Sequence, residues 1–360
     1  MATTTATENS FVLHVDSAYG PISRTVQKSP PRDAQPGEVP VIDVSGMFSD
    51  ELSKRQAVAA EVRKACTGMG FFYIINHKVP DSITEALAEA SRDFFHQSIE
   101  EKNKVSFEHQ IEGYQGLNQE QINKSESIDV FEKLKITYRP SMDPVSKLDG
   151  SSTSGYQEFP WEKTASVPSL EVAYKKFFAT RLVLARQLLQ IMALALDLPE
   201  DYFDAKVAQP QAAVTLNYYP GKAEGEERTE PAGLGSHTDF SLITLLWQDD
   251  AGGLQILSPE GEWIKAKPIP GSLVCNVGDM MTMITGGKFI SDIHRAKTEG
   301  TKERVSIPFF IGLAPKVNIE LVKTCDEPNR IKEDYEGITA GDWLRKRVMD
   351  VKLGKLAKAT

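Results

Sequence analysis

The chain has 360 residues, 41% hydrophobic and 25% charged, which is enough apolar side chain for a sizeable core and too much for a disordered polymer. Its net charge of −9 supplies no field to draw in nucleic acid or an anionic membrane surface. Cys66, Cys275 and Cys325 are an odd number at wide spacing with no CxxC pair, which argues against a disulfide framework and for a reducing, cytoplasmic compartment.

Residues 1–38 are rich in Thr, Ser and Pro, end in "KSPPRDAQPGE" and read as an extended arm. They carry no basic stretch followed by an apolar core, the mark of a secretory signal. The region 39–168 reads as mixed α and β. "VPVIDVSG" is a short strand, and helical spacing aligns Val58, Val62 and Cys66, then Ile83, Leu87, Ala90 and Phe94, on either side of the β-rich "GFFYIINH". From residue 106 the periodicity weakens, although "SIDVFEKLKITY" could be a strand pair. Ser169 to Leu198 reads as one long helix closed by Pro199. Its most apolar part, from Leu182, is interrupted by Arg186, Gln187, Gln190 and Asp197, as suits a buried helix better than a membrane span.

After Ala213 the pattern changes. "AVTLNYY", "SLITLLW", "GLQIL", "EWIKAK", "SLVCNV" and "RVSIPFFIG" alternate with Gly, Pro and Asp turns at the roughly 8–12 residue spacing of a sandwich or barrel. Residues 169–315 are therefore expected to be a long helix plus an all-β core. Residues 316–360 end in a basic helix from Gly341 that packs through Trp343 and Val348 and holds its charges in solvent. The whole is expected to be one compact unit.

Chemistry concentrates at "GLGSHTDFSLITLLW". On an extended segment, residues i and i+2 share a face, so His237 and Asp239 point the same way and can share one ion. His294, in "FISDIHRAK", is placed where a barrel could return it beside that pair. Two neutral imidazoles and one carboxylate form the facial triad of non-haem Fe(II) oxygenases, which leaves coordination positions open for oxygen. A His-x-Asp pair alone is a weak signal that reads more readily as a hydrogen-bonded core histidine, the reading given to His14, His96 and His109, with His77 in a turn. Asp249-Asp250 before Gly252-Gly253 reads as a solvated hairpin turn.

"ERVSIPFFIG" adds to the case. As a strand it puts Arg304, Ser306, Pro308 and Phe310 on one face and Val305, Ile307 and Phe309 on the other. A guanidinium turned into a barrel is costly without an anion, and its planar fork suits a carboxylate. The competing reading is a surface pair with Glu303 or Glu299. In "VTLNYYP", Asn217 and Tyr219 share a face and offer further polar groups to the same cavity.

His237-Thr238-Asp239, His294 and Arg304-Val305-Ser306, in this order and spacing, resemble the motif set of the iron and 2-oxoglutarate-dependent dioxygenases of the isopenicillin N synthase-like group. The resemblance extends to "VPVIDVSG", "GFFYIINH", "NYYP", "GGLQIL", "WIKAKPIPGSLVCNVGD" and "IPFFIG", and spans about residues 38–350. Lys78 departs from it, standing where the family commonly has Gly. The resemblance implies a mainly β fold, a double-stranded β-helix or jelly roll with flanking helices. It implies Fe(II) on His237, Asp239 and His294, with 2-oxoglutarate chelating the iron. The far carboxylate of 2-oxoglutarate would lie on Arg304 and Ser306 beside Tyr219, with Asn217 nearer the metal. O2 is the implied oxidant, and ascorbate could stimulate turnover. Phe310 matches a position that often lines the substrate pocket, although barrel packing explains it equally well; Phe131 is a second apolar candidate. The reaction implied couples decarboxylation of 2-oxoglutarate to hydroxylation, desaturation or ring closure of a small organic molecule, as in specialised metabolism. Two other readings stay open: a same-fold iron oxidase that needs no 2-oxoglutarate, and a barrel that binds metal or metabolite without chemistry. Nothing in the sequence sets an oligomeric state.

Overall fold

The period-two runs of the second half become strands, arranged in two facing sheets. The computed structural model describes residues 8–107, 112–146, 156–222, 232–298, 300, 302–325 and 337–353; His109 lies outside them. In chain order, β1 (Ser10–Ser17), β2 (Gly20–Gln27), β3 (Arg32–Asp33) and β4 (Val41–Asp43) precede helix α1 (Leu52–Thr67) and β5 (Phe71–Ile75). Helices α2 (Asp81–Phe95) and α3 (Ile99–Asn103), strands β6 (Gly113–Gln115) and β7 (Glu132–Thr137), and the long α4 (Ser169–Ala195) follow. Next come β8 (Gln211–Tyr219), β9 (Gly233–His237), β10 (Ile243–Gln248), β11 (Leu254–Leu257), β12 (Trp263–Lys265) and β13 (Leu273–Val277). Helix α5 (Asp279–Ile284), β14 (His294–Lys297), β15 (Arg304–Gly312) and α6 (Ala340–Leu353) complete the described chain.

The larger sheet runs β4-β5-β13-β10-β15-β8-β7-β6 and the smaller β3-β12-β11-β14-β9. Helix α4 covers the outer face of the larger sheet. Its Tyr174 hydroxyl lies 2.9 Å from both the Ile136 and the Val214 carbonyls, and Phe178 meets Phe309 edge-on at 5.4 Å. Val305, Ile307 and Phe309 are fully buried in the same cluster as α4, so Arg304 and Ser306, on the opposite face of β15, turn inward. Because β8 and β15 pair with Arg304 opposite Tyr219 and Ser306 opposite Asn217, the four polar side chains share that inner face. Helix α4 is long and apolar enough to cross a membrane, yet Leu182, Leu188, Leu189 and Met192 are fully buried within the protein.

Five expectations need correction, one of them the core placement of His14 and His96, which are exposed and lie 2.9 Å from Ser23 Oγ and 2.8 Å from Glu303 Oε2. The region expected to be an extended arm contains a hairpin, β1–β2, in register from Ser10 opposite Gln27 to Ser17 opposite Gly20, and β3 pairs with β12. Leu13, Val15 and Val26 bury against Leu257, Trp263 and Ile293, so Thr and Ser here serve β-structure. "SIDVFEKLKITY" supplies only one strand, β7, whose neighbours are β6 and β8. Asp250 is a solvated turn residue, but Asp249 is buried, accepting the Val305 N–H at 2.7 Å and facing Arg92 at 3.2 Å. The basic α6 does not hold all its charges in solvent, because Arg347 is 2% exposed. Lys78 adopts φ 60, a conformation glycine enters freely, which accounts for the family's usual residue at that turn.

Candidate metal centre and co-substrate pocket

Strands β9 and β14 are antiparallel neighbours with His237 directly opposite His294, and this pairing brings residues 57 apart in sequence to a ring separation of 4.3 Å. Asp239 follows His237 by two residues. Its Oδ1 lies 3.8 Å from Nε2 of each histidine, and the three ligand atoms fall within 4.8 Å of one another. Each imidazole is oriented from behind. Nδ1 of His237 is 2.8 Å from the Gly235 carbonyl and Nδ1 of His294 is 3.2 Å from the Asp292 carbonyl. A carbonyl only accepts, so Nδ1 carries the proton and the Nε2 lone pair faces Asp239.

Asp239 is split in function. Oδ2 accepts from Thr244 Oγ1 at 2.6 Å and Asn276 Nδ2 at 2.7 Å, so Oδ1 is left to the shared point. Burial pushes its pKa up, but His294, His237 and these two donors outweigh burial and hold it below the usual carboxylate range. Burial, helped by the neighbouring His294, lowers His237 to about 4, so its imidazole is neutral at physiological pH. Gly278 lets the β13–α5 turn close on this loop. A Cβ there would sit 2.2 Å from the Ser241 carbonyl, and the next amide, Asp279 N–H, donates to the Asp239 carbonyl at 2.7 Å.

Arg304 is 1% exposed and has no carboxylate partner among the described residues. It donates to the Gly252 carbonyl, to Ser306 Oγ at 3.0 Å and to Gln248 Oε1 at 3.4 Å, and it stacks 4.6 Å over the Tyr219 ring. A buried guanidinium held by neutral groups is a site for an anion from outside. Phe131 is buried and stacks on Tyr219 at 5.6 Å, so it backs this pocket. Phe310 is half-buried, opposite Thr244 in the sheet register, and so lies beside the strand that steadies Asp239. Asn217 is buried opposite Ser306. All nine candidate residues therefore fall on or beside one barrel interior.

The donor set fits a ferrous ion, and the comparisons agree. Residues 210–313 match the 2OG-Fe(II) oxygenase superfamily model, and residues 39–162 match that for the N-terminal region of the non-haem dioxygenase in morphine synthesis. The 2-oxoglutarate-Fe(II) type oxidoreductase ppzC of Metarhizium majus is 39% identical over 365 residues, spanning 97% of both chains. The chain belongs to the 2-oxoglutarate and Fe(II) oxygenase superfamily. Homoarginine-6-hydroxylase 2-ODD-233 of Oryza sativa subsp. japonica is 31% identical over 332 residues, 86% of this chain and 96% of its own. Among solved structures, full-length Neurospora crassa T7H in complex with alpha-KG overlays with a TM-score of 0.74 at 24% identity, covering 89% of this chain and 99% of its own. As a superfamily member the protein is a non-haem iron enzyme that uses 2-oxoglutarate as co-substrate, on a jelly-roll core.

Sequence reasoning missed the supporting residues Thr244, Gln248 and Asn276. A polar side chain inside an apolar strand was the available signal, since "LITLLWQ" carries two and "LVCNV" one where burial would be costly without a partner.

Proposed function

We propose that this oxygenase oxidises a C–H bond of a small organic metabolite in the cytoplasm, as a step of specialised metabolism, by hydroxylation, desaturation or ring closure. The observation that carries the reading is the pairing of two features in one interior: three convergent ligand atoms, and a buried arginine that no described carboxylate neutralises. His237, Asp239 and His294 would hold the metal, and bound iron would supply oxygen activation with 2-oxoglutarate as reductant. Arg304 would take the distal carboxylate in its fork, with Ser306 and Tyr219 flanking it and Asn217 nearer the metal. Phe131 would shield that ion pair from water, and Phe310 would offer an apolar wall to the substrate. The three buried cysteines, none of them in a disulfide, support a reducing compartment.

The test is turnover with Fe(II), ascorbate and 2-oxoglutarate against a metabolite extract, followed by mass spectrometry and succinate assay. The expected result is succinate formed in step with a product that gains one oxygen or loses two hydrogens. Product formed without succinate would sink the 2-oxoglutarate part of the reading.

A further inference from the structure

Strand β9 lies at the edge of its sheet, and beyond Gly233, whose N–H donates to the Val130 carbonyl at 3.1 Å, the N–H groups of Gly235 and Ser236 have no strand partner. Two carboxylates from the loop before β7 take them. Asp129 accepts from Gly235 N–H at 2.7 Å, and Glu126 accepts from Ser236 N–H at 2.5 Å and from Ser236 Oγ at 3.1 Å. Glycine at 235 allows this, because a Cβ there would stand 3.1 Å from Glu126 and 3.2 Å from Asp129.

The Ser236 N–H and the Gly235 carbonyl belong to one trans peptide, so they point in opposite directions. That carbonyl receives the Nδ1–H of His237. The result is a continuous line from carboxylate through peptide to imidazole. His294 repeats it. The Asp292 carboxylate accepts from Ile293 N–H at 2.8 Å, and the carbonyl of that same peptide receives His294 Nδ1–H. A carboxylate on the N–H end polarises the amide and makes its oxygen a stronger acceptor, which raises the donor strength of the imidazole's other nitrogen.

We propose that Glu126 and Asp292 are positioning residues for the two histidines, each acting through one intervening peptide. The inference rests on the proposed iron site. Asp129 provides a charge control, since its contact falls on the preceding peptide, whose carbonyl does not serve His237.

The experiment compares Glu126→Gln, Asp292→Asn and Asp129→Asn with the parent protein. Anaerobic Fe(II) titration gives affinity, and imidazole N–H resonances of the zinc-loaded, 15N-histidine-labelled protein report each Nδ1–H bond. Glu126→Gln is expected to move only the His237 signal and Asp292→Asn only the His294 signal, each weakening Fe(II) binding roughly tenfold. Asp129→Asn is expected to move neither signal. Signals that stay in place, or that move together in every variant, overturn the proposal even if affinity falls. If Glu126→Gln does not fold, Ser236→Ala removes only the second contact to Glu126: a smaller His237 shift is expected, and no shift overturns the assignment. Failure of the parent protein to bind Fe(II) or zinc at the triad would instead refute the iron site itself.

Discussion

The two oxygens of Asp239 are occupied differently, and that difference is open to test. Thr244 and Asn276 both hold Oδ2, which fixes the carboxylate plane and leaves Oδ1 directed between the imidazoles. Asn276→Ala is expected to weaken Fe(II) binding about tenfold, by anaerobic titration, because one of the two restraints is lost while the ligand remains. Asp239→Ala should abolish binding under the same conditions. Arg304 is expected to separate from the metal ligands in its effect. Arg304→Lys retains a charge but loses the planar fork and its stack on Tyr219, so the KM for 2-oxoglutarate should rise tenfold or more with Fe(II) affinity unchanged. Equal loss of both would mean that the arginine supports the metal rather than the co-substrate.

At the scale of elements, α6 contributes a buried ion pair. Arg347 donates to Asp279 Oδ2 at 2.8 Å and to the Ser17 carbonyl at 2.7 Å, and it lies 2.8 Å from Asp16 Oδ2. Asp279 also accepts from Thr238 at 3.0 Å, the residue between His237 and Asp239. Burial raises Asp279 to about 6, with Arg347 opposing the rise. A carboxyl whose folded pKa exceeds its unfolded value binds its proton more readily when folded, so its contribution to stability is lost as pH rises through the folded pKa. Arg347→Leu removes the opposing charge. It should cost about 3–5 kcal/mol at neutral pH, lower Tm by roughly 5–10 °C, and show a deficit that shrinks as pH falls toward 6, because Asp279 without Arg347 takes up its proton at a higher pH than in the parent. A deficit independent of pH would mean that Arg347 acts by packing on Phe240 and Trp343 alone. This pair also marks where sequence reading stops. His237, Asp239 and the alternating faces of β8 and β15 were legible because each is a local spacing rule, whereas His294 was legible through the order and spacing of the family's motif set. Asp16, Asp279 and Arg347 are each ordinary in their own segments, and only tertiary folding across 331 positions brings them together. The hairpin was hidden for a related reason: in a Thr- and Ser-rich stretch, composition resembles a linker, and only the alternation of Leu13 and Val15 betrays a buried face.

On the scale of the whole molecule, segments from both ends of the chain meet behind His237. The hairpin, the loop before β7 and α6 line a small cleft whose walls include Val15, Ile122, His237 and Arg347. Asn123 joins the hairpin to the site strand, donating to the His14 carbonyl at 3.0 Å and the Ser236 carbonyl at 3.1 Å. Thr238 contacts the Asp16 carbonyl at 3.3 Å. The hairpin supplies no metal ligand, yet two lines of contact run from it to Ser236 and Thr238, the residues flanking His237. Deleting residues 1–27 would expose Trp263 and Leu257, remove Leu13, Val15 and Val26 from the core, and strip Arg347 of its Asp16 and Ser17 acceptors. Three buried aliphatic side chains at about 1.5–3 kcal/mol each place the Tm fall at roughly 10 °C or more. If the hairpin served stability alone, turnover below the new Tm would keep its coupling, with one succinate per product. Because it also braces the strand that carries His237, the truncated protein is expected to release succinate in excess of product and to bind Fe(II) more weakly. Parallel assays of succinate, product and Fe(II) affinity, well below the melting temperature of the truncated form, distinguish these outcomes.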